Sequence, residues 1–212
     1  MPKSSLAEAR LYGFIDAAYL DGRDPAALTR ALITGGVDII QVRAKEISHA
    51  ARVQLTLAVL GVAFRDGTPV IVNDDIDAAF ESGADGVHLG QEDWAAIPKD
   101  LRRARLANMR IVGISTHTLE QALQAERDGA SYIGVGPVFA TGTKPHVKPV
   151  GLELVREVAG RVAVPFFAIG GITLDNIDAV REAGATRVAV VSGILKATDA
   201  VQVAQAFKRR LS

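Results

Sequence analysis

The chain has 212 residues, 49% of them hydrophobic and 23% charged, with 24 basic and 24 acidic side chains and no cysteine. That length suits one domain with a large core. Zero net charge removes any bulk attraction to nucleic acid or an anionic membrane, and the missing cysteines exclude disulfides, thiolate metal sites and Cys nucleophiles. Residues 1–10 are polar without a secretory leader pattern, and no apolar run is long enough to span a bilayer, so the expectation is a soluble cytoplasmic domain covering 1–212.

Along the chain, short apolar runs predict strands near Leu11–Ile15, Asp38–Val42, Pro69–Asn73, Gly86–Leu89, Arg110–Ile114, Tyr132–Val135, Pro165–Ile169 and Arg187–Val191. They are almost continuously apolar, as strands covered on both faces should be. Between them, Pro25–Thr34, Ser48–Arg65, Leu119–Asp128 and Leu174–Ala183 carry apolar residues at helical spacing. Asp24 before Pro25, Thr118 and Thr173 offer oxygens that can cap helix starts.

A small-residue step recurs where helix gives way to strand: Gly35-Gly36-Val37-Asp38, Gly83-Ala84-Asp85-Gly86, Gly129-Ala130-Ser131-Tyr132 and Gly184-Ala185-Thr186-Arg187. Glycine can take the left-handed conformation that ends a helix. The steps lie 48, 46 and 55 residues apart, room for two strand–helix units each. Eight units of about 25 residues fill the chain, which predicts the α/β class and a single (β/α)8 TIM barrel. A doubly wound open sheet uses the same alternation, and the even spacing favours closure over it. The longest irregular stretch, Pro137 to Val150, is rich in Gly, Pro, Thr and Lys and reads as a functional loop.

In such a barrel the site assembles where strands end at their C-terminal side. Polar residues stand there in nearly every unit: Gln41, Arg43 and Lys45; Asn73, Asp74 and Asp75; His88, Gln91 and Asp93; Ser115 and His117; Thr141, Thr143 and Lys144; Gly170-Gly171; and Ser192-Gly193. Arg43, Lys45 and Lys144 can neutralise phosphate oxygens. Asp74 and Asp93 are hard oxygen donors suited to Mg2+, which takes one or two carboxylates together with substrate phosphates and water. Basic and acidic groups together describe a metal-bridged diphosphate. The glycines after the last two strands sit where barrels commonly hold a phosphate on backbone N–H groups. Two phosphorylated substrates in one cavity follow.

Plainer readings stand beside these. Asp–Arg pairs at strand ends also serve as structural salt bridges, and Lys45 alone reads as a solvated lysine. His88 reads as a satisfied interior histidine, while His117 fits a site or a helix-start role. His49 and His146 read as surface residues, and Trp94 as helix packing. No Ser-His-Asp arrangement or zinc-spaced His pair is legible.

These residues fall into motifs that resemble the thiamine phosphate synthase family across nearly the whole chain. The motifs are Gln41-Val42-Arg43-Ala44-Lys45, Val72-Asn73-Asp74-Asp75 and Gly83-Ala84-Asp85-Gly86-Val87-His88-Leu89-Gly90-Gln91-Glu92-Asp93, then Gly113-Ile114-Ser115-Thr116-His117. They continue with Gly134-Val135-Gly136-Pro137-Val138-Phe139, Thr141-Gly142-Thr143-Lys144, Ile169-Gly170-Gly171-Ile172 and Val190-Val191-Ser192. The resemblance implies a transferase joining 4-amino-2-methyl-5-hydroxymethylpyrimidine diphosphate to 4-methyl-5-(2-hydroxyethyl)thiazole phosphate, or its carboxylated form. The products are thiamine phosphate and pyrophosphate, formed by Mg2+-assisted dissociative substitution. It implies that Gln41, Arg43, Lys45, Asn73, Ser115 and Lys144 hold the pyrimidine diphosphate, with Arg43, Lys45, Ser115 and Lys144 catalytic. It also implies that Asp74 and Asp93 bind Mg2+, and that Thr141, Thr143, Gly171, Val191 and Ser192 hold the thiazole phosphate. Small molecules are then the partners, without nucleic acid or membrane, and a homo-oligomer is compatible with the sequence.

Four positions depart from the family pattern: Ile15 before Asp16 where Thr is common, Val42 where Leu is common, Asp75 where many members have Arg, and Gly193 where Ala is common. Three rival readings are weaker. A thiazole tautomerase of the same family would lack the acidic pair or the T-x-T-K loop, and a non-catalytic precursor sensor needs no leaving-group activation. A sugar-phosphate isomerase or epimerase would need a general acid–base pair, which Asp74 and Asp93 could form only formally.

Overall fold

In the computed structural model, which describes residues 6–107, 109–142 and 147–212, eight parallel strands close in sequence order into a TIM barrel. The strands are β1 (Leu11–Asp16), β2 (Ile39–Arg43), β3 (Val70–Asn73), β4 (Gly86–Leu89), β5 (Ile111–Thr116), β6 (Tyr132–Val135), β7 (Phe166–Ile169) and β8 (Val188–Ala189). Around them run α1 (Pro25–Thr34), α2 (His49–Asp66), α3 (Ile76–Ser82), α4 (Gln91–Ala96), α5 (Lys99–Arg105), α6 (Leu119–Arg127), α7 (Gly151–Ala159), α8 (Ile177–Glu182), α9 (Ser192–Leu195) and α10 (Ala200–Leu211). Among the described residues no helix is long and apolar enough to cross a membrane.

Local chemistry explains the helix ends. Asp24, Ser48, Asp75, Thr118 and Asp199 each accept a hydrogen bond from a free N–H of the first turn, a cap that stabilises a helix by ~1 kcal/mol. Of the four small-residue steps, three turn on their first glycine: Gly83, Gly129 and Gly184 have φ of +72°, +86° and +101°. At the first step Gly36, not Gly35, is the left-handed residue. Thr173 caps no helix. Its N–H donates to Asn176 Oδ1 at 2.8 Å while Asn176 Nδ2 donates to Gly171 O at 2.9 Å, so residues 173–176 form a turn and α8 begins only at Ile177.

Strand alternation sorts the side chains. One face of β1 packs outward, where a Cβ on Gly13 would meet Val37 and Leu32. The other face points into the barrel and carries Tyr12, Phe14 and Asp16. Registers bring inward residues level with their neighbours: Phe14 opposite Gln41, Asp16 opposite Arg43, Asn73 opposite His88 and Ser115 opposite Gly134. The eighth strand is shorter than the sequence predicts, because the chain turns at Val191 into α9, although the Val190 N–H still donates to Tyr12 O. Trp94 is buried, its indole N–H donating to Asp128 and Arg102 lying 4.2 Å over its ring, which is a packing role.

Candidate active site

A cavity lined by residues from Tyr12 to Gly193 opens at the C-terminal end of the barrel. Its floor is a chain of buried polar groups contributed by five strands. Gln41 Nε2 donates to the Tyr12 hydroxyl at 2.9 Å, and that hydroxyl lies 2.8 Å from the Tyr132 hydroxyl. Tyr132 is 2.9 Å from His88 Nδ1, and His88 Nε2 is 2.9 Å from Ser115 Oγ. Burial pushes both phenols far above their ordinary pKa, so they remain neutral hydrogen-bonding groups at any working pH.

The chain has a direction. The Gln41 amide nitrogen can only donate. If each hydroxyl proton is to find an acceptor within the chain, Tyr12 donates to Tyr132, Tyr132 to His88 Nδ1, and His88 Nε2–H to Ser115. The Ser115 proton is then left for a ligand in the cavity. Glycine makes the geometry fit: a methyl on Gly113 would overlap the Tyr132 ring and the His88 imidazole.

Arg43 reaches the same cavity with Nη1 committed to Asp16 Oδ2 at 2.7 Å. Asp16 is 1% exposed and its other oxygen accepts from Ala18 N, so it fixes the guanidinium from behind. On the opposite wall, Gly170 and Gly171 take φ of +102° and +64° and lie against the 137–140 backbone. Gly171, Thr141, Val191 and Ser192 line that wall. Gly193 is tightly packed, since a Cβ there would stand 2.9 Å from Val190 Cγ1 and 3.0 Å from Ile172 O. His117 belongs to the cavity wall, with Nδ1 bonded to Gly136 O. Thr143, Lys144 and His146 lie outside the described residues.

Beside this cavity, and sharing Asn73 with it, lies a shallower, more open acidic pocket. It holds Lys45, Asp74 and Asp93. Lys45 Nζ is 3.2 Å from Asp74 Oδ2, and Asn73 Nδ2 donates to the same oxygen at 2.6 Å. Asp74 has φ +63°, an uncommon conformation for a non-glycine residue, and its Oδ1 accepts from Gly90 N at 3.3 Å. Asp93 sits in the first turn of α4 and faces Asp74; burial, and then the Asp74 charge, raise its pKa. Two carboxylates held together at such a cost form a donor set for a hard cation, whose charge would relieve their repulsion. No cluster of three or more His, Cys, Asp or Glu occurs among the described residues, so a cation here would complete its shell with substrate oxygens and water.

Gln41, Arg43, Asn73 and Ser115 are thus brought into one cavity, and Lys45, Asp74 and Asp93 into its neighbour. Tyr12 and Tyr132 line the cavity, and Asp16 holds Arg43 from behind; the strand-end motifs do not reveal either tyrosine. The two tyrosines look like ordinary members of apolar strands, and only their inward parity with Gln41 and His88 could have singled them out.

Residues 11–194 match the family described as thiamine monophosphate synthase. The chain belongs to that family. Among curated relatives, the thiamine-phosphate synthase of Chloroflexus aurantiacus is 41% identical over 213 residues, covering 100% of this chain and 97% of the relative. That of Shouchella clausii is 43% identical over 199 residues, covering 93% of this chain and 94% of its own. Among solved structures, thiamine phosphate pyrophosphorylase from Pyrococcus furiosus superposes with a TM-score of 0.85 at 30% identity, covering 96% of this chain and 95% of that one. Membership of the thiamine monophosphate synthase family makes this chain an enzyme of the transferase class.

Proposed function

We propose that the protein condenses 4-amino-2-methyl-5-hydroxymethylpyrimidine diphosphate with 4-methyl-5-(2-hydroxyethyl)thiazole phosphate, or the carboxylated thiazole, releasing pyrophosphate with Mg2+ as cofactor. The observation that carries this reading is the acidic pair Asp74–Asp93, with Lys45 at 3.2 Å, opening onto the deep cavity at Asn73. A diphosphate placed over that boundary would have its charged end at the pair and its pyrimidine above the hydrogen-bonded floor.

The step proposed is substitution at the pyrimidine methylene. The C–O bond to diphosphate breaks with its electron pair leaving on oxygen, and the thiazole nitrogen lone pair then forms the new C–N bond. Mg2+ held by Asp74 and Asp93 would neutralise charge on the departing diphosphate. Arg43 and Lys45 add cationic contacts, and the Ser115 proton, freed by the direction of the floor chain, donates to a diphosphate oxygen. The apolar walls Phe14, Phe167 and Ile169 exclude water from a cation that water would quench. Gly171, Thr141 and Ser192 suit the thiazole phosphate, keeping the nucleophile opposite the leaving group. Among the described residues the cavity has charge stabilisers and positioning groups and needs no nucleophile of its own.

The test is to incubate the folded protein with both substrates and Mg2+ and to assay products. Equal amounts of thiamine phosphate and pyrophosphate are expected; no product would overturn the reading in favour of a tautomerase or a ligand sensor.

A further inference from the structure

Arg52 belongs to neither pocket's reacting set by any motif, yet it is 16% exposed and fully engaged. It stands in the first turn of α2, a helix whose start is fixed by the Ser48 cap. From there its guanidinium spans two loops. Nε and Nη2 donate to Ala44 O at 3.1 and 2.9 Å, and Nη2 also reaches Ile47 O at 3.4 Å. Nη1 meets Asp75 Oδ2 at 2.5 Å.

The residues on either side of those contacts matter. Ala44 precedes Lys45, and Asp75 follows Asp74. Within the 44–48 loop the Ser48 carbonyl accepts from Arg52 N as α2 begins, and the forked guanidinium meets the Ala44 and Ile47 carbonyls. Asp75 is itself fixed twice more: its Oδ1 caps α3 through Ala78 N, and its Oδ2 lies 3.2 Å from His49 Nδ1.

We propose that Arg52, with Asp75 as its counter-ion, is a positioning residue that holds the Lys45 loop and the Asp74 loop in register and so sets the diphosphate-binding half of the site. This rests on the synthase reading of that half. Lys45 is half exposed and flexible along its stem, so its placement 3.2 Å from Asp74 depends on where its backbone is held. The departure at position 75 also finds its reason here: an Arg at that position would stand against Arg52, whereas Asp pairs with it.

The test uses Arg52→Lys, which keeps the charge but loses the fork, and Asp75→Asn, which keeps an α3 capping oxygen but loses the charge. Three readouts are taken: steady-state constants for each substrate, calorimetric binding of inorganic pyrophosphate with Mg2+, and amide hydrogen exchange of the ligand-free protein. Both variants should raise KM for the pyrimidine diphosphate and weaken Mg2+-pyrophosphate binding by about tenfold, leaving KM for the thiazole phosphate within about twofold. Exchange should quicken in residues 44–48 while the strands keep their protection. A purely structural role would instead shift both KM values together, or lower the melting temperature with exchange rising throughout, and either result overturns the proposal. If the parent makes no thiamine phosphate, the synthase reading fails, and pyrophosphate binding and exchange still decide the role of Arg52.

Discussion

His88 Nδ1 lies 2.9 Å from the Tyr132 hydroxyl, with the two rings stacked at 29° beneath the cavity. If the Tyr132 hydroxyl donates through that contact, the imidazole proton rests on Nε2 and faces Ser115. Tyr132→Phe keeps the ring packing against Tyr12 and Phe167 but breaks the chain. The expected result is a loss of about tenfold in kcat/KM with a normal fold, measured by steady-state kinetics beside circular dichroism. Unchanged kinetics would show that Ser115 works independently of the floor.

Tyr12→Phe should behave differently. It leaves the Gln41 amide, 3% exposed, without its acceptor. A destabilisation of ~1–3 kcal/mol is predicted on top of any kinetic loss, read from chemical denaturation.

Gly113→Ala places a methyl inside the Tyr132 ring and against His88. Both are held by the strands and cannot withdraw without breaking the floor. Destabilisation of ~1–3 kcal/mol with loss of activity is expected, and a stable, active variant would show that the floor can move.

Asp74→Asn and Asp93→Asn should each cut turnover by orders of magnitude while preserving the fold. Because burial and the Asp74 charge both disfavour the ionised form of Asp93, removing one charge in EDTA should hold or raise the melting temperature at neutral pH. A fall in melting temperature would show that the acidic pair is stabilised by contacts other than a cation.

His49 supplies a pH test. The Glu81 and Asp75 contacts raise its folded pKa above the ordinary value of 6.5. The charged form is therefore favoured on folding. Its stabilisation is complete below the unfolded pKa and disappears as pH rises through the higher folded value. Comparing denaturation midpoints of the parent and His49→Gln should show a gap at acid pH that closes above that value. A gap constant with pH would contradict the raised pKa.

The barrel was legible because parallel strands buried on both faces write themselves as apolar runs, and because Gly83, Gly129 and Gly184 mark helix ends through a backbone that other residues resist. Boundaries set by side-chain turns were less so: Asn176 delays α8, and Val191 ends β8 early. The expected cavity residues Gln41, Arg43, Asn73 and Ser115 converge because strand parity and register place them together. The separation of Lys45, Asp74 and Asp93 into an adjoining pocket was not legible, since it depends on the left-handed backbone of Asp74 and on loops whose path is set by Arg52. Tyr12 and Tyr132 stayed hidden because a phenol in a buried strand carries no polar signature until its hydrogen-bond partner is known.

The central claim is that the Asp74–Asp93 pair holds the Mg2+ that assists diphosphate departure. Its most direct test is the Mg2+ dependence of thiamine phosphate formation in the parent and in Asp74→Asn. EDTA should abolish product, Mg2+ should restore it in the parent, and Asp74→Asn should need at least about tenfold more Mg2+ or stay inactive. Product formation untouched by EDTA, or an Asp74→Asn variant with the parent's Mg2+ requirement, would contradict it.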